Sequence, residues 1–545
     1  MKSYIKHIIP AVAAVVTLGF GLTACTGDLD VTPIDPNLQT EIDPNTLFNK
    51  CYANMALAGQ SGPDGDCDID GLDGGTTGFV RQYFNTNELG TDEAICGWGD
   101  PGIPEFIYNR WDASHPMVRG YYYRLYFGVT LCNKYLENFS EVDAQKTAEV
   151  RYLRALYDYL LMDAFGNVRL LTKVSNDVVP QSTRAEAFTT IEKELLEIEP
   201  SLAEATPKTS SDANYGRVDK AAAWMLLARM YLNAEVYTGT PQWDKAAEYA
   251  KKVMDSGYKL YTGAPVNGWT AYEQLFMGNN GENGSSVECI LPILQDGKTT
   301  ASYGTTYYLT AGTYDESVLI NPDGVTTGNN TGGQWSGQRA RKSLIDKFFP
   351  NNNAPYVYAY QMPAEAGDDR ALFDGSGRTV DCPTSADVGT FTAGFAVAKF
   401  NNFYTEGSSH DATFSDADFF FFRVAEAYLT YAEATARLNG GNTTAEGTKA
   451  INDLRARAHA QQRVSGSYTL SDICDEWSRE FYFEGLRRQT LIRFDRFGGE
   501  NNYNWPWKGG AAEGTNFKAY LNIYAIPSTD LTVSEGMVQN PGYSN

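Results

Sequence analysis

Apolar positions recur with a helical period in several blocks of the chain, and each block ends at a clear stop. The stretch "VRYLRALYDYLLMDAFG" places Val150, Leu153, Tyr157, Leu160, Leu161 and Ala164 on one helical face, and Gly166 ends it. "DKAAAWMLLARMYLNAEVY" behaves likewise from Asp219, a suitable N-cap. Within it Trp224, Leu227, Ala228 and Tyr231 fit the W-x2-L-[GA]-x2-Y spacing of a tetratricopeptide helix. "WDKAAEYAKKVMDSG" supplies a second helix after a short Gly/Pro turn. "FRVAEAYLTYAEATARLNG" (Phe422 to Gly440) and "AEGTKAINDLRARA" predict another such pair. Units of this kind bury their faces only by stacking. The pattern therefore predicts a mainly α fold of stacked helix pairs, with helical repeat parts at about 120–256 and 422–500. Aromatic residues on those faces are read as core.

Between the helical blocks the composition changes. Residues 257–421, and a shorter stretch at about 60–115, predict loops and short strands, with runs such as "TTYYLTAGTY", "NPDGVTTGNNTGGQWSGQ" and "NNNAPYVYAY". A loop region this long inside a compact domain is usually functional. The chain holds 35 Tyr and 9 Trp, and here Asn and Thr surround them. Flat aromatic faces stack on the C–H faces of pyranose rings, while amides, carboxylates and Arg bond the hydroxyls. The alternative is that the loop tyrosines pack on the helices.

The start, "MKSYIKHIIPAVAAVVTLGFGLTAC", has a basic head at Lys2 and Lys6 and an apolar run from Ile8 to Phe20. The run is too short to span a bilayer and ends in small residues, so residues 1–24 read as a signal peptide. "LTAC" (Leu22 to Cys25) resembles a bacterial lipobox, which makes Cys25 the acylated first residue of the mature chain. Several acyl chains on one residue satisfy the two-signal requirement for stable anchoring. Residues 25–44, polar, acidic and punctuated by Pro, read as a tether. Residues 45–545 remain as a single domain. The 44 Lys and Arg face 67 Asp and Glu, a net charge of −23. Loss of residues 1–24 removes Lys2 and Lys6 and no acid, leaving about −25. Such a surface repels phosphate backbones and anionic polymers, which argues against nucleic acid, and leaves neutral ligands unpenalised. Beyond Cys25 there are seven cysteines with no CxxC spacing, an odd count that supports neither a disulfide framework nor a zinc site.

One acidic stretch raises a separate question. In "PDGDCDIDGLDGGTTGFVRQYF", Asp66, Asp68, Asp70 and Gly71 occupy places one, three, five and six of an EF-hand loop, but the twelfth place holds Thr77 where a bidentate Glu is needed. Catalytic motifs are missing too: there is no HExxH, GxSxG, P-loop or GxGxxG, and the four histidines (His7, His115, His410, His459) are scattered. A glycoside hydrolase would need two carboxylates at a defined separation, which a sequence cannot exclude. Glu480 and Glu484 near Arg487 and Arg488 read as surface ion pairs or internal bracing.

"RYLRALYDYLLMDAFGNVRL", "FRVAEAYLTYAEATARLNG" with "INDLRARA", "EWSREFYFEGLRRQTLIRF" and the terminal "YAIPSTDLTVSEGMVQNPGY", after the lipobox start and in this order, resemble the SusD/RagB family of surface glycan-binding lipoproteins of Bacteroidota. The resemblance implies a SusD-like fold whose helix pairs support a loop-rich, mixed subdomain carrying the ligand site. It implies an outer-membrane location, a SusC-like TonB-dependent transporter as partner, and no enzymatic activity. Some members bind other glycans or peptides. "NELGTDEAICGW", "ECILPILQDG" and "WPWKGGAAEGT" are similar to the starch-utilisation member of the family, which implies an α-glucan ligand. On that basis Trp98, Tyr303 and Trp335 are expected to stack on the glycan, and Asp73 and Arg81 to hold hydroxyls in a fork geometry. Asp73 and Arg81 could instead form a loop ion pair, and Tyr303 could be strand packing. Cys96 and Pro101 depart from the pattern, since neither a thiol where a second aromatic is expected nor a proline can serve a sugar. The family also admits a structural calcium. Glu282, Glu288, Asp416 and Asp418 are candidate ligands, against the alternative of a charged loop before a helix.

Overall fold

The computed structural model describes residues 42–63, 67–408, 410, 411 and 413–544. The chain divides into two compact units, residues 1–47 and 48–545. Of the first, only residues 42–47 are described; Cys25 and the leader lie outside the described residues.

The long helices are α1 (Pro44–Ala56), α2 (Pro116–Phe139), α3 (Ala144–Phe165), α4 (Arg184–Ile198), α5 (Lys220–Leu232), α6 (Trp243–Met254), α7 (Val424–Leu438), α8 (Ala445–Arg457) and α9 (Leu470–Phe481). They pack in succession, α2 on α3, α3 on α4, α5 on α6, α6 on α7, and α7 on both α8 and α9. Their ends follow from capping chemistry. The Asp219 carboxylate accepts from the Ala221 amide at 2.9 Å, and Gly166 at φ 71° ends α3 with its N–H on the Met162 carbonyl at 3.0 Å. Trp224 keeps one edge wet-facing and donates Nε1–H to Glu199 at 2.6 Å. Helix α3 is more central than an amphipathic stripe predicts: Val150, Tyr152, Leu156, Tyr159 and Met162 are all buried, so both of its faces meet protein.

Two small sheets brace the loops. Strands β1 (Ala94–Cys96), β3 (Gln338–Ala340), β5 (Phe395–Val397) and β4 (Phe373–Asp374) lie antiparallel in the order β1-β3-β5-β4, with Ile95 opposite Arg339. Strand β2 (Cys289–Ile293) pairs with β6 (Phe419–Arg423). The helix expected from Phe422 therefore starts only at Val424. The run of four phenylalanines before it takes the strand form, where aromatic side chains fit a buried pleat.

A buried ionic cluster joins these parts. Arg423, at the end of β6, donates to Glu288 at 2.9 Å, to Glu480 at 2.6 Å and to Glu484 at 2.8 Å. Arg457 from α8 pairs with Glu288 at 2.9 Å and also with Glu480, and Arg370 pairs with Glu476 and Asp368, each at 2.8 Å. Burial alone would raise the Glu480 carboxyl, but Arg457, Arg423 and Arg370 outweigh it and hold it well below the usual carboxylate range. Glu480 and Glu484 are thus internal braces. Their partners are distant arginines, while Arg487 binds Asp92 at 2.6 Å and Arg488 binds Asp163.

Candidate functional site

The acidic loop is tied down by Arg124 of α2. Its buried guanidinium meets Asp68 at 2.7 Å and donates to Thr77 O, Asn54 Oδ1 and Ala58 O at 2.8–2.9 Å. Asp68 is therefore an arginine's counter-ion, and Thr77 is buried with its hydroxyl on the Asp73 carbonyl at 3.0 Å. Asp66 lies outside the described residues. Beyond this anchor Asp73 caps the short helix Gly74–Thr77, accepting from Thr76 N at 3.0 Å and Thr76 Oγ1 at 2.9 Å. The next turn, Phe79–Phe84, carries Arg81. Its guanidinium lies over the Tyr308 ring, 4.7 Å from the centroid. No ion pair joins Arg81 to Asp73 among the described residues, yet the two face each other across Gly75, where a Cβ would stand 2.8 Å from Arg81 Nη1 and 3.0 Å from Asp73 Oδ1. The guanidinium is thus positioned by an aromatic face, and its Nε has no hydrogen-bond partner among the described residues.

The aromatic residues assemble beside this pair. Trp98 follows β1 and donates Nε1–H to the Trp335 carbonyl at 3.0 Å; the two indoles are 6.2 Å apart at 59°. The backbone at Gly337 lies flat on one face of Trp98, since a Cβ there would fall 2.1 Å from the indole Cε2. Trp335 meets Tyr303 at 5.9 Å and 50° and Tyr307 at 5.0 Å and 80°. Tyr303 occupies a turn ahead of the short helix Tyr307–Gly312, and both Tyr303 and Tyr307 touch Phe414, at 5.5 and 4.8 Å. All of Trp98, Tyr303 and Trp335 are half-buried, as ring platforms must be. Loops 74–78 and 302–306 meet backbone to backbone: Arg81 N–H donates to Gly304 O at 3.1 Å, and Gly78 and Gly304 abut.

The structure brings together all five residues expected at a ligand face. It also adds Tyr307, Tyr308 and Phe414, which the sequence reading missed although "TTYYL" placed two of them a helical turn from Tyr303. Cys96 is buried in the sheet, opposite Gln338, and burial pushes its thiol up to about 12, in keeping with the expectation that it does not serve a sugar. Pro101 is exposed in a turn.

The candidate metal ligands divide. Glu282, Asp416 and Asp418 line one cavity of about 690 Å3 together with Asp296, His410 and Tyr404. Asp418 accepts from Tyr215 OH and from Gln295 N, both at 2.7 Å. Asp416 accepts from Gly297 N at 2.8 Å and lies 3.1 Å from His410 Nδ1. Burial, with Glu282 and Asp416 nearby, raises the Asp418 carboxyl to about 7 against the hydrogen bonds from Tyr215 and Gln295. The Gln295 carbonyl Oε1, buried in the same cavity, has no hydrogen-bond partner among the described residues. Asp296, His410 and Asp416 bring ligand atoms within 4.8 Å of one another, and Glu282 and Asp418 line the same cavity outside that set. Glu288 is not among them; both its oxygens are held by Arg423 and Arg457.

The stacked-helix frame carries clustered indoles and phenols on its loops, beside the Arg81 guanidinium, which has no ion pair among the described residues. The chain belongs to the SusD family. A family model described as "SusD family" matches residues 369–543, and one described as "Starch-binding associating with outer membrane" matches residues 91–232. The chain is 39% identical over 576 aligned positions, 99% of each chain, to the "Starch-binding protein SusD" of Bacteroides thetaiotaomicron. Among solved structures, a SusD superfamily protein from Bacteroides vulgatus superposes with a TM-score of 0.64 at 19% identity, over 92% of this chain and 99% of the other. A "Laminarin binding SusD-like protein" gives 0.63 at 21% identity, over 93% and 100%. The relative similar over the whole chain bears the name of a binding protein and not of an enzyme.

Proposed function

We propose that this protein captures a neutral glycan, an α-glucan such as starch or its maltooligosaccharides, on the Trp98–Tyr303–Trp335 face. Asp73 and Arg81 take the sugar hydroxyls at its rim. The observation that carries this is the half-buried indole pair: Trp98 is locked to the Trp335 backbone at 3.0 Å, with Gly337 against its ring and Tyr308 edge-on beside it at 5.8 Å. The starch-binding relative, similar over the whole chain, supports the choice of α-glucan. The protein would act at the cell surface, held in the outer membrane by lipid on Cys25 through a tether of residues 25–44, and pass its glycan unaltered to a SusC-like TonB-dependent transporter.

Native electrophoresis through gels containing polysaccharides tests the ligand. Amylopectin and pullulan are expected to retard the protein, and β-glucans and fructans are not. Trp98→Ala removes a stacking face worth about 1–3 kcal/mol by analogy with base–aromatic stacking, a loss of roughly tenfold to hundredfold in affinity. Retardation by a fructan or β-glucan alone refutes the α-glucan reading, and undiminished binding by both Trp98→Ala and Arg81→Ala refutes the site.

The second part of the reading is a structural calcium held by Glu282, Asp416 and Asp418 with Gln295 Oε1; the orphaned carbonyl favours it. Calcium there would neutralise the crowded carboxylates and steady the 410–416 loop, whose Phe414 touches Tyr303 and Tyr307.

A further inference from the structure

The stretch "NNNAPYVYAY" takes no part in the site above, although it carries the most exposed tyrosines among the described residues. Tyr356 and Tyr358 lie in an irregular run after Pro355, and Tyr360 in the turn that follows it, closed by Gln361 N–H on the Tyr358 carbonyl at 3.0 Å. Tyr356 is 59% and Tyr358 41% exposed. The rings of Tyr358 and Tyr360 are nearly parallel, 14° apart with centroids at 6.3 Å, while Tyr356 rests edge-on against Phe395 of β5 at 5.8 Å and 73°.

The backbone beneath them is pinned. Gly375 N–H donates to Val357 O at 2.9 Å, Tyr360 N–H to Leu319 O at 3.1 Å, and Ala359 N–H to the Asp374 carboxylate at 3.0 Å. Gly324 covers one face of Tyr360, where a Cβ would still be 3.6 Å from the ring. None of the three hydroxyls has a hydrogen-bond partner among the described residues, and the exposed amides of Asn351, Asn353 and Gln361 flank the rings. Large aromatic faces held rigidly in water, with free hydroxyls and amides around them, mark a surface built to be covered. Here the covering group must be flat and apolar on its faces and rich in hydroxyls at its edge. The net charge of −23 disfavours an anionic one.

We propose that Tyr356, Tyr358 and Tyr360 form a second stacking subsite for a neutral glycan chain, separate from the Trp98 face. The inference rests on the reading of the protein as a glycan binder. The sheet order supports the separation: β1 leads into Trp98 at one edge, and β4 at the other edge runs into Gly375, which holds the tyrosine segment. Three strand spacings of about 4.8 Å part those edges. A polymer can span them where a short oligosaccharide seated at Trp98 does not. Occupying both faces makes the second contact intramolecular, so the gain belongs to long chains.

The full-length mature protein, Trp98→Ala, the double variant Tyr356→Ala/Tyr358→Ala and their combination are run through gels of amylopectin, pullulan, laminarin and inulin, with maltotriose, too short to reach both faces, titrated by calorimetry. The double variant is expected to keep the wild-type melting temperature and maltotriose affinity. It should lose roughly tenfold or more in apparent affinity for whichever polymer retards the wild type. Trp98→Ala is expected to keep a residual retardation that the combination abolishes. Equal retardation of the double variant and the wild type overturns this inference and leaves the Trp98 reading standing. A matching loss for maltotriose overturns the separateness of the subsite. Retardation of the wild type by no neutral polysaccharide overturns both readings.

Discussion

The close approach of two glycines gives the site its most exacting test. In Gly78→Ala the new methyl would stand 2.4 Å from the Gly304 Cα and 2.8 Å from its carbonyl oxygen, against an ordinary contact of 3.4–4 Å. Backbone φ is −58° at Gly78, so alanine is allowed there and the effect is purely one of space. Nothing flexible can yield, because both neighbours are main chain. The 302–306 loop must therefore retreat by about 1 Å, stretching the 3.1 Å bond from Arg81 N–H to Gly304 O. Overpacking of this kind costs about 1–3 kcal/mol, which in a chain of this size lowers the melting temperature by a few degrees at most. The larger effect falls on binding. Tyr303 adjoins Gly304 and rides with it, so its 5.9 Å contact with Trp335 is lost. The expected loss is that of one stacking face, about tenfold to hundredfold. Calorimetric titration with maltoheptaose alongside thermal unfolding reads both, with Gly99→Ala, where a methyl meets nothing within 4 Å, as the neutral control. A lowered melting temperature with wild-type affinity would show that this contact does not place Tyr303. No change in either would refute the contact itself.

Two further outcomes test the chemistry elsewhere. Asp418, raised to about 7 in the folded chain, contributes stability that is full below its ordinary range near 3.8 and lost as pH climbs through 7. Calcium-free protein should thus melt lower at pH 8 than at pH 5. Calcium should restore it, and Asp418→Asn should flatten the slope and abolish the response; identical slopes with and without the substitution sink the assignment. Cys25→Ala should move the protein from the membrane fraction to the soluble fraction, and retention after a high-salt wash would place the anchor elsewhere.

How much of this was legible beforehand varied with the physics. Helices α3, α5 and α6 were readable because periodicity and caps are local signals, and Gly166 and Asp219 do in the fold what their chemistry suggests. The start of α7 was misplaced, since Phe422 satisfies a helical face and a buried strand equally well and only pairing with β2 decides between them. Glu288 looked like a metal ligand next to Glu282, but its partners come from residues 423 and 457, far beyond any local reading. The five residues expected at a ligand face were chosen through family resemblance. Tyr307, against Trp335, and Phe414, against Tyr303 and Tyr307, came only from the three-dimensional arrangement.

The ionic cluster around Arg423 has a bearing on how such a protein survives outside the cell. Its members come from β6, α8, α9 and the loop at residues 368–370, so no one of these can peel away without stranding unpaired charge in a dry interior. Partial opening is thereby made nearly as costly as complete unfolding, and proteases that cut only opened segments find few.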